Sequence, residues 1–288
     1  MLYQPELLCE GFIFPETPRW HRGSFYCCSI DEGKIFRIDV KGNKEIQVQI
    51  DDWLSGWIFV GPDTNDIVLT SANQRKLLLH NSEGLKEIAD LSSIATWGIN
   101  DMIRTHDGVM FVGSVNFPFG KTDPAEIPDS PLIRVDMAGN VSVASDQTGF
   151  PNGMVITPDG KRLIMGDSMK ACLHQWDLNE DGRLSNHSIF ASIPGARPDG
   201  ICLDEEGGIW VGSGRGGLFR VLAGGEITDE VNMGDTGATA CMLGGGDGRT
   251  LLITASDSHD RNIIHDNPSG RLFTARVAIP GAGLPSWY

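Results

Sequence analysis

Four oxygen-bearing side chains, Glu16, Asn100, Asn152 and Asp199, each stand at the head of a short strand-like run in widely separated parts of the chain. Together they offer two carboxylates and two amide oxygens, with no imidazole or thiolate among them. A donor set of that kind is hard, and it suits calcium, magnesium or manganese better than copper or a structural zinc. Taken singly, each residue fits a plainer role, because Asn-Gly and Asp-Gly pairs cap turns at strand starts. The choice depends on whether the fold brings the four to one point, and so on the elements that carry them.

The clearest element is Pro151 to Ser168, PNGMVITPDGKRLIMGDS. Two apolar runs, Met154 to Ile156 and Leu163 to Met165, flank a Pro-Asp-Gly turn, which is the pattern of a β-hairpin. The same arrangement recurs, with starting points near 16, 56, 100, 152, 199 and 240 and spacings of 40, 44, 52, 47 and 41 residues. A period of roughly 40 to 50 residues, built of hairpins without helical periodicity, is the signature of propeller blades. The expectation is therefore an all-β fold, one six-bladed β-propeller domain over residues 1–288, with about four strands per blade around a central channel. A β-sandwich would not repeat one start, turn and third strand six times. Glu6 to Phe14 precedes the first repeat and is expected to supply an outer strand that closes the ring, removing an open edge.

In such a ring the first strand of each blade lines the channel, so Glu16, Asn100, Asn152 and Asp199 converge at one mouth. Blade two offers Gly56-Trp57 at that position and blade six Ala240-Cys241. Coincidence in four repeats favours a metal site over four independent turn caps. Asp167 and Asp101 are expected either to support these ligands from behind or to pack strand ends.

Composition narrows the partners. A formal charge of −15 argues against nucleic acid or an anionic membrane surface, which would call for a basic face. No run of about 20 apolar residues and no basic, then apolar leader is present, so the chain reads as cytoplasmic with no membrane association. Six cysteines lack paired spacing and read as buried thiols. Gly212, Gly214 and Gly217 satisfy G-x-G-x-x-G, but LFRV after them is a strand, so no helix N-terminus is there to cradle phosphate. Asp177 to Gly182 opens like a calcium-binding helix-loop-helix but lacks the acidic twelfth residue, and no G-x-S-x-G elbow supports a serine nucleophile.

The chain resembles the senescence marker protein, gluconolactonase and luciferin-regenerating enzyme family, which includes regucalcin and bacterial lactonases. The similarity rests on PETPRW, GIND, PNGMVITPDGKRLIMGDS and RPDGICLDEEGGIWVGS, in that order over nearly the whole chain. It implies a six-bladed propeller that hydrolyses lactones with one divalent ion, calcium first, with magnesium, manganese or zinc as alternatives. It also implies Glu16, Asn152 and Asp199 as metal ligands and Asn100 as a contact to substrate or to water on the metal. Such an ion polarises a lactone carbonyl and acidifies water, and Asp199 beside it is the candidate general base.

One departure bears on the substrate. Sugar-lactone members carry Arg two residues before the position of Asn100, where this chain has Gly98, preceded by Trp97. Trp97, Trp57, Phe117 and Phe119 suggest a more apolar mouth, or else blade packing. The substrate is thus a small lactone, either a sugar lactone or a less polar lactone or ester. Residues 116–130, rich in Pro and Asp, read either as a loop over the mouth that shapes specificity or as a plain surface excursion. The alternatives are a non-catalytic calcium- or ligand-binding propeller of the regucalcin type, and a metal-assisted isomerisation or ring opening of a related carbonyl compound.

Overall fold

Each blade's first strand is short, from three to eight residues, and in four of the six a polar side chain, Glu16, Asn100, Asn152 or Asp199, stands at or just before its head. The computed structural model describes residues 1–118, 127–214 and 217–286. It forms six antiparallel sheets arranged as a β-propeller. The inner strands are Pro15–His21, Trp57–Phe59, Gly98–Arg104, Pro151–Ile156, Ile201–Leu203 and Gly237–Gly244. Each contacts the inner strands of its two neighbours, closing a ring. Glu6–Phe12 pairs antiparallel with Gly270–Arg276 as the outer strand of blade six, so the last blade is completed from the start of the chain. Leu2–Tyr3 adds a short parallel strand to the outer edge of blade five, a pairing the sequence pattern does not announce.

Close approach of neighbouring blades is bought with glycine. A Cβ on Gly153 would lie 2.5 Å from the Ile201 nitrogen, and one on Gly200 would lie 2.1 Å from the Ala240 Cβ. Any larger residue there would push blades four, five and six apart at the axis. Behind these strands the blades pack through apolar clusters, one running from blade two to blade four around Ile103, Phe111 and Met154. Another joins blades five and six around Trp210 and Ile253.

At the opposite end of the ring the C-terminal segment lies across three blades. Ala282 donates its N–H to Leu203 O, Leu284 and Ile156 exchange backbone hydrogen bonds, and Gly281 donates to Gly248 O. The Leu284 side chain is buried in the core.

Candidate active site

Three inner strands are bulged where the polar residues sit. In blade one the register shifts between Glu16 and Arg19, in blade three between Ile99 and Met102, and in blade four between Pro151 and Met154. A bulge inserts an unpaired residue and re-aims its side chain. Asn100 and Asn152 fall inside their bulges, while Glu16 is the last residue in register before its own, opposite Cys28.

Hydrogen bonds between every adjacent pair of blades fix that end. Arg19 Nε donates to Trp57 O (3.1 Å), Ser55 Oγ to Ile99 O (2.9 Å), and Asn100 Nδ2 to Pro151 O (3.2 Å). Gly153 N donates to Asp199 O (3.1 Å), Gly200 N to Thr239 O (2.9 Å), and Thr239 Oγ1 to Pro15 O (2.9 Å). The backbone that carries the four oxygen donors is therefore one connected rim.

The orientation of the two amides follows from their partners. Ser168 Oγ gives its proton to Pro198 O at 2.6 Å, so toward Asn152 it can only accept, and Asn152 presents Nδ2 to it at 3.2 Å. Pro151 O is likewise an acceptor only, which fixes Nδ2 of Asn100 against it. In both residues the carbonyl oxygen is left to face away from these contacts. Asn152 is buried and Asn100 half-buried.

Glu16 is the most constrained group. Its side chain is buried, Oε2 accepts the Thr17 N–H at 2.7 Å, and Oε1 is buried with no hydrogen-bond partner. Burial pushes its pKa well above the usual carboxylate range, and the nearby negative charge of Asp199 pushes it further. An orphaned carboxylate oxygen beside a second carboxylate is costly unless a cation answers both. Asp199 is more open, with its side chain 18% exposed, and its Oδ2 stands 3.9 Å from His259 Nε2.

Asp101 lies one residue beyond Asn100, buried, accepting from Met102 N at 2.7 Å and from Arg19 Nη2 at 3.2 Å. Burial raises its pKa despite the guanidinium. Arg261 bonds to buried Asp31, lies over the rings of Phe14 and Trp53 at 4.8 Å each, and feels the charges of Glu16 and Asp199. Arg19 pairs with Asp101 and Arg261 with Asp31, which His265 also contacts, so neither guanidinium pairs with Glu16 or Asp199. A divalent ion has the charge that would balance these two carboxylates. Among the described residues no three His, Cys, Asp or Glu side chains converge to hold a metal, so any ion here would take amide oxygens beside the two carboxylates.

The other expected residues divide. Asp167 is buried under five donors: His174 Nε2 and the N–H groups of Gly149, Phe150, Met169 and Lys170. Burial alone would raise its pKa, but the bonds from His174 and these backbone groups hold it down to about 2. Its hydrogen bonds shape the turn that begins with Ser168, and it is Ser168 that bonds to Asn152. Trp97 is half exposed at the rim. Trp57, read from sequence as a possible substrate contact, is instead wholly buried, packed against Tyr26 and Phe59, because all three residues of its short strand face packed neighbours. Phe117 is also buried, against Phe150. Phe119 and most of the 116–130 loop lie outside the described residues. Arg19, His259 and Arg261 were not foreseen. For His259 and Arg261 the available signal was the polar stretch DSHDRNIIHDNPS between the second and third strands of blade six, far longer than a hairpin turn.

Comparison with known proteins adds to this geometry. A family model described as the SMP-30/Gluconolactonase/LRE-like region matches residues 14–257. The 6-deoxy-6-sulfogluconolactonase of Pseudomonas putida is 32% identical over 160 residues, 54% of this chain and 55% of that protein, so the match spans about half of its length. Regucalcin of Gallus gallus is 29% identical across 96% of this chain and 95% of its own. Among solved structures, luciferin-regenerating enzyme superposes with a TM-score of 0.81 at 17% identity, covering 99% of this chain and 100% of that one.

Proposed function

The chain belongs to the SMP-30/gluconolactonase/LRE-like family, and on that premise we propose that it hydrolyses a small lactone at the rim formed by Glu16, Asn100, Asn152 and Asp199. The observation that carries this reading is the buried Oε1 of Glu16, without a hydrogen-bond partner, close to the partly exposed carboxylate of Asp199. The family relatives named as sugar lactonases support the reaction class.

A hard divalent ion fits the donors present, with Glu16, Asn152 and Asp199 to hold it, calcium being the first choice. When bound, such an ion would polarise the lactone carbonyl and lower the pKa of a water. The protein does the rest. Ser168 and Pro198 fix the Asn152 amide, so its oxygen costs no reorganisation to present. Asn100, held to Pro151 O, faces the substrate from blade three. Asp199 accepts a proton from the attacking water as the water oxygen bonds to the carbonyl carbon. The ring C–O bond then breaks, and the proton passes to the departing ring oxygen, giving a hydroxy acid. The exposed Trp97 supplies an apolar wall to a pocket whose substrate is a sugar lactone or a less polar one.

The direct test of the residue assignment is Asp199→Asn. Turnover is expected to fall at least a thousandfold, with an unchanged far-ultraviolet spectrum and melting temperature within a few degrees. Wild-type rates in that variant would remove Asp199 from the mechanism. A protein that binds calcium tightly and opens no lactone would favour the binding-propeller alternative.

A further inference from the structure

Blade three begins its inner strand with Gly98, so it offers substrate no side chain from that position, and Trp97 before it is apolar. Blade six contributes a polar group at the same rim. His259 sits in the segment between Thr250–Ser256 and Gly270–Arg276, whose backbone is tied down by Ser256 Oγ to Ser258 O (2.9 Å) and Asp260 N to Ser258 Oγ (3.0 Å). The imidazole lies edge-on against Phe14, with ring centroids 5.2 Å apart. It occupies space that residue 214 leaves clear: a Cβ on Gly214 would stand 3.2 Å from His259 Cε1. The ring is thus held in place on two sides while its side chain is half exposed.

The distance from Nε2 to Asp199 Oδ2, 3.9 Å, is too long for a direct hydrogen bond. It matches the gap that one further oxygen would close, set about 2.8 Å from each atom. We propose that His259 and Asp199 together read a hydroxyl group of the bound lactone, making His259 a specificity-determining residue that selects hydroxylated, sugar-like lactones over unsubstituted rings. The inference rests on the lactonase reading of the site and adds the substrate class to it. A hydroxyl seated there donates to Asp199 and accepts from the imidazole N–H. A ring without that hydroxyl leaves the gap unbridged, which is how sites built around a polar contact reject analogues lacking it.

The test compares kcat/KM for glucono-1,5-lactone and for δ-valerolactone in the wild type, His259→Ala and His259→Gln, each saturated with calcium. The ratio of the two values is expected to fall about tenfold in His259→Ala, chiefly through KM for gluconolactone, and to recover in part in His259→Gln, which keeps an N–H at similar reach. An unchanged ratio in a variant with wild-type melting temperature would overturn the proposal. So would an equal loss on both lactones carried by kcat, since that would mark His259 as positioning Asp199 and not reading substrate. Absence of turnover on either lactone in the wild type itself would instead strike the lactonase reading beneath it.

Discussion

At the scale of single residues, the account turns on Glu16. Its carboxyl binds a proton more tightly in the folded protein than in the unfolded chain, where its pKa is near 4.5. With respect to this group the metal-free protein is therefore most stable below pH 4.5, and that stability is lost as pH rises through the elevated folded value. Glu16→Gln removes the charge that burial disfavours. Chelator-treated Glu16→Gln is expected to be more stable than chelator-treated wild type at pH 8, by about 1 to 2 kcal/mol, and to lose the fall in stability that Glu16 causes above pH 4.5. Added calcium should raise the melting temperature of the wild type and leave the variant unmoved. A variant less stable than metal-free wild type at pH 8 would show that Oε1 has a stabilising partner of its own.

The limits of the sequence are visible at the same scale. Asn152 is legible because an Asn-Gly pair leads a strand in a repeat that recurs elsewhere, and a shared position in four repeats gives a physical reason to group residues far apart in the chain. Trp57 shows the converse. Its strand is three residues long with every side chain buried, so alternation cannot say which face its indole takes. His259 and Arg261, the latter opening the short helix Arg261–Asp266, belong to a segment whose residue types fit solvent as well as a site, and only the closing of blade six on blade one brings them over Phe14.

At the scale of elements, the hairpin of blade four joins a structural anchor to a functional one. Asp167, at the end of Arg162–Asp167, gathers four backbone N–H groups and His174, while the next residue, Ser168, orients Asn152. Because its pKa is held to about 2 against an ordinary value of 3.8, the Asp167 carboxylate stabilises the fold fully above pH 4. That contribution fades as pH falls from about 4 toward 2. Asp167→Asn is expected to cost about 2 kcal/mol in urea unfolding at pH 7, with the difference from wild type shrinking at pH 3. Equal costs at both pH values would mean that the amide loses packing and not charge. The bulges after Glu16 and at Asn100 and Asn152 were not legible, since one extra residue in a strand of six or seven leaves no mark on hydrophobic alternation.

At the scale of the whole molecule, ring closure converts sequence repetition into convergence. Six short inner strands, each hydrogen-bonded to the next at one end, place groups from blades one, three, four, five and six on one rim. The C-terminal segment fastens blades four to six at the other end. The outer strand of blade six was legible because a segment ahead of the first repeat had no partner of its own. The strand at Leu2–Tyr3 was not, for two residues carry no periodicity, nor was the path of Gly281 to Leu284, whose contacts are backbone to backbone.

The central claim is that this rim opens lactones with the help of a divalent ion. It is tested most directly by the initial rate of acid release from gluconolactone, measured on the whole protein after chelator treatment and again with calcium, magnesium, manganese or zinc restored singly. The account predicts a rate at the uncatalysed background in the stripped protein, and recovery by at least a hundredfold with one or more of these ions. An undiminished rate in metal-free protein would contradict it, placing the chemistry on side chains alone.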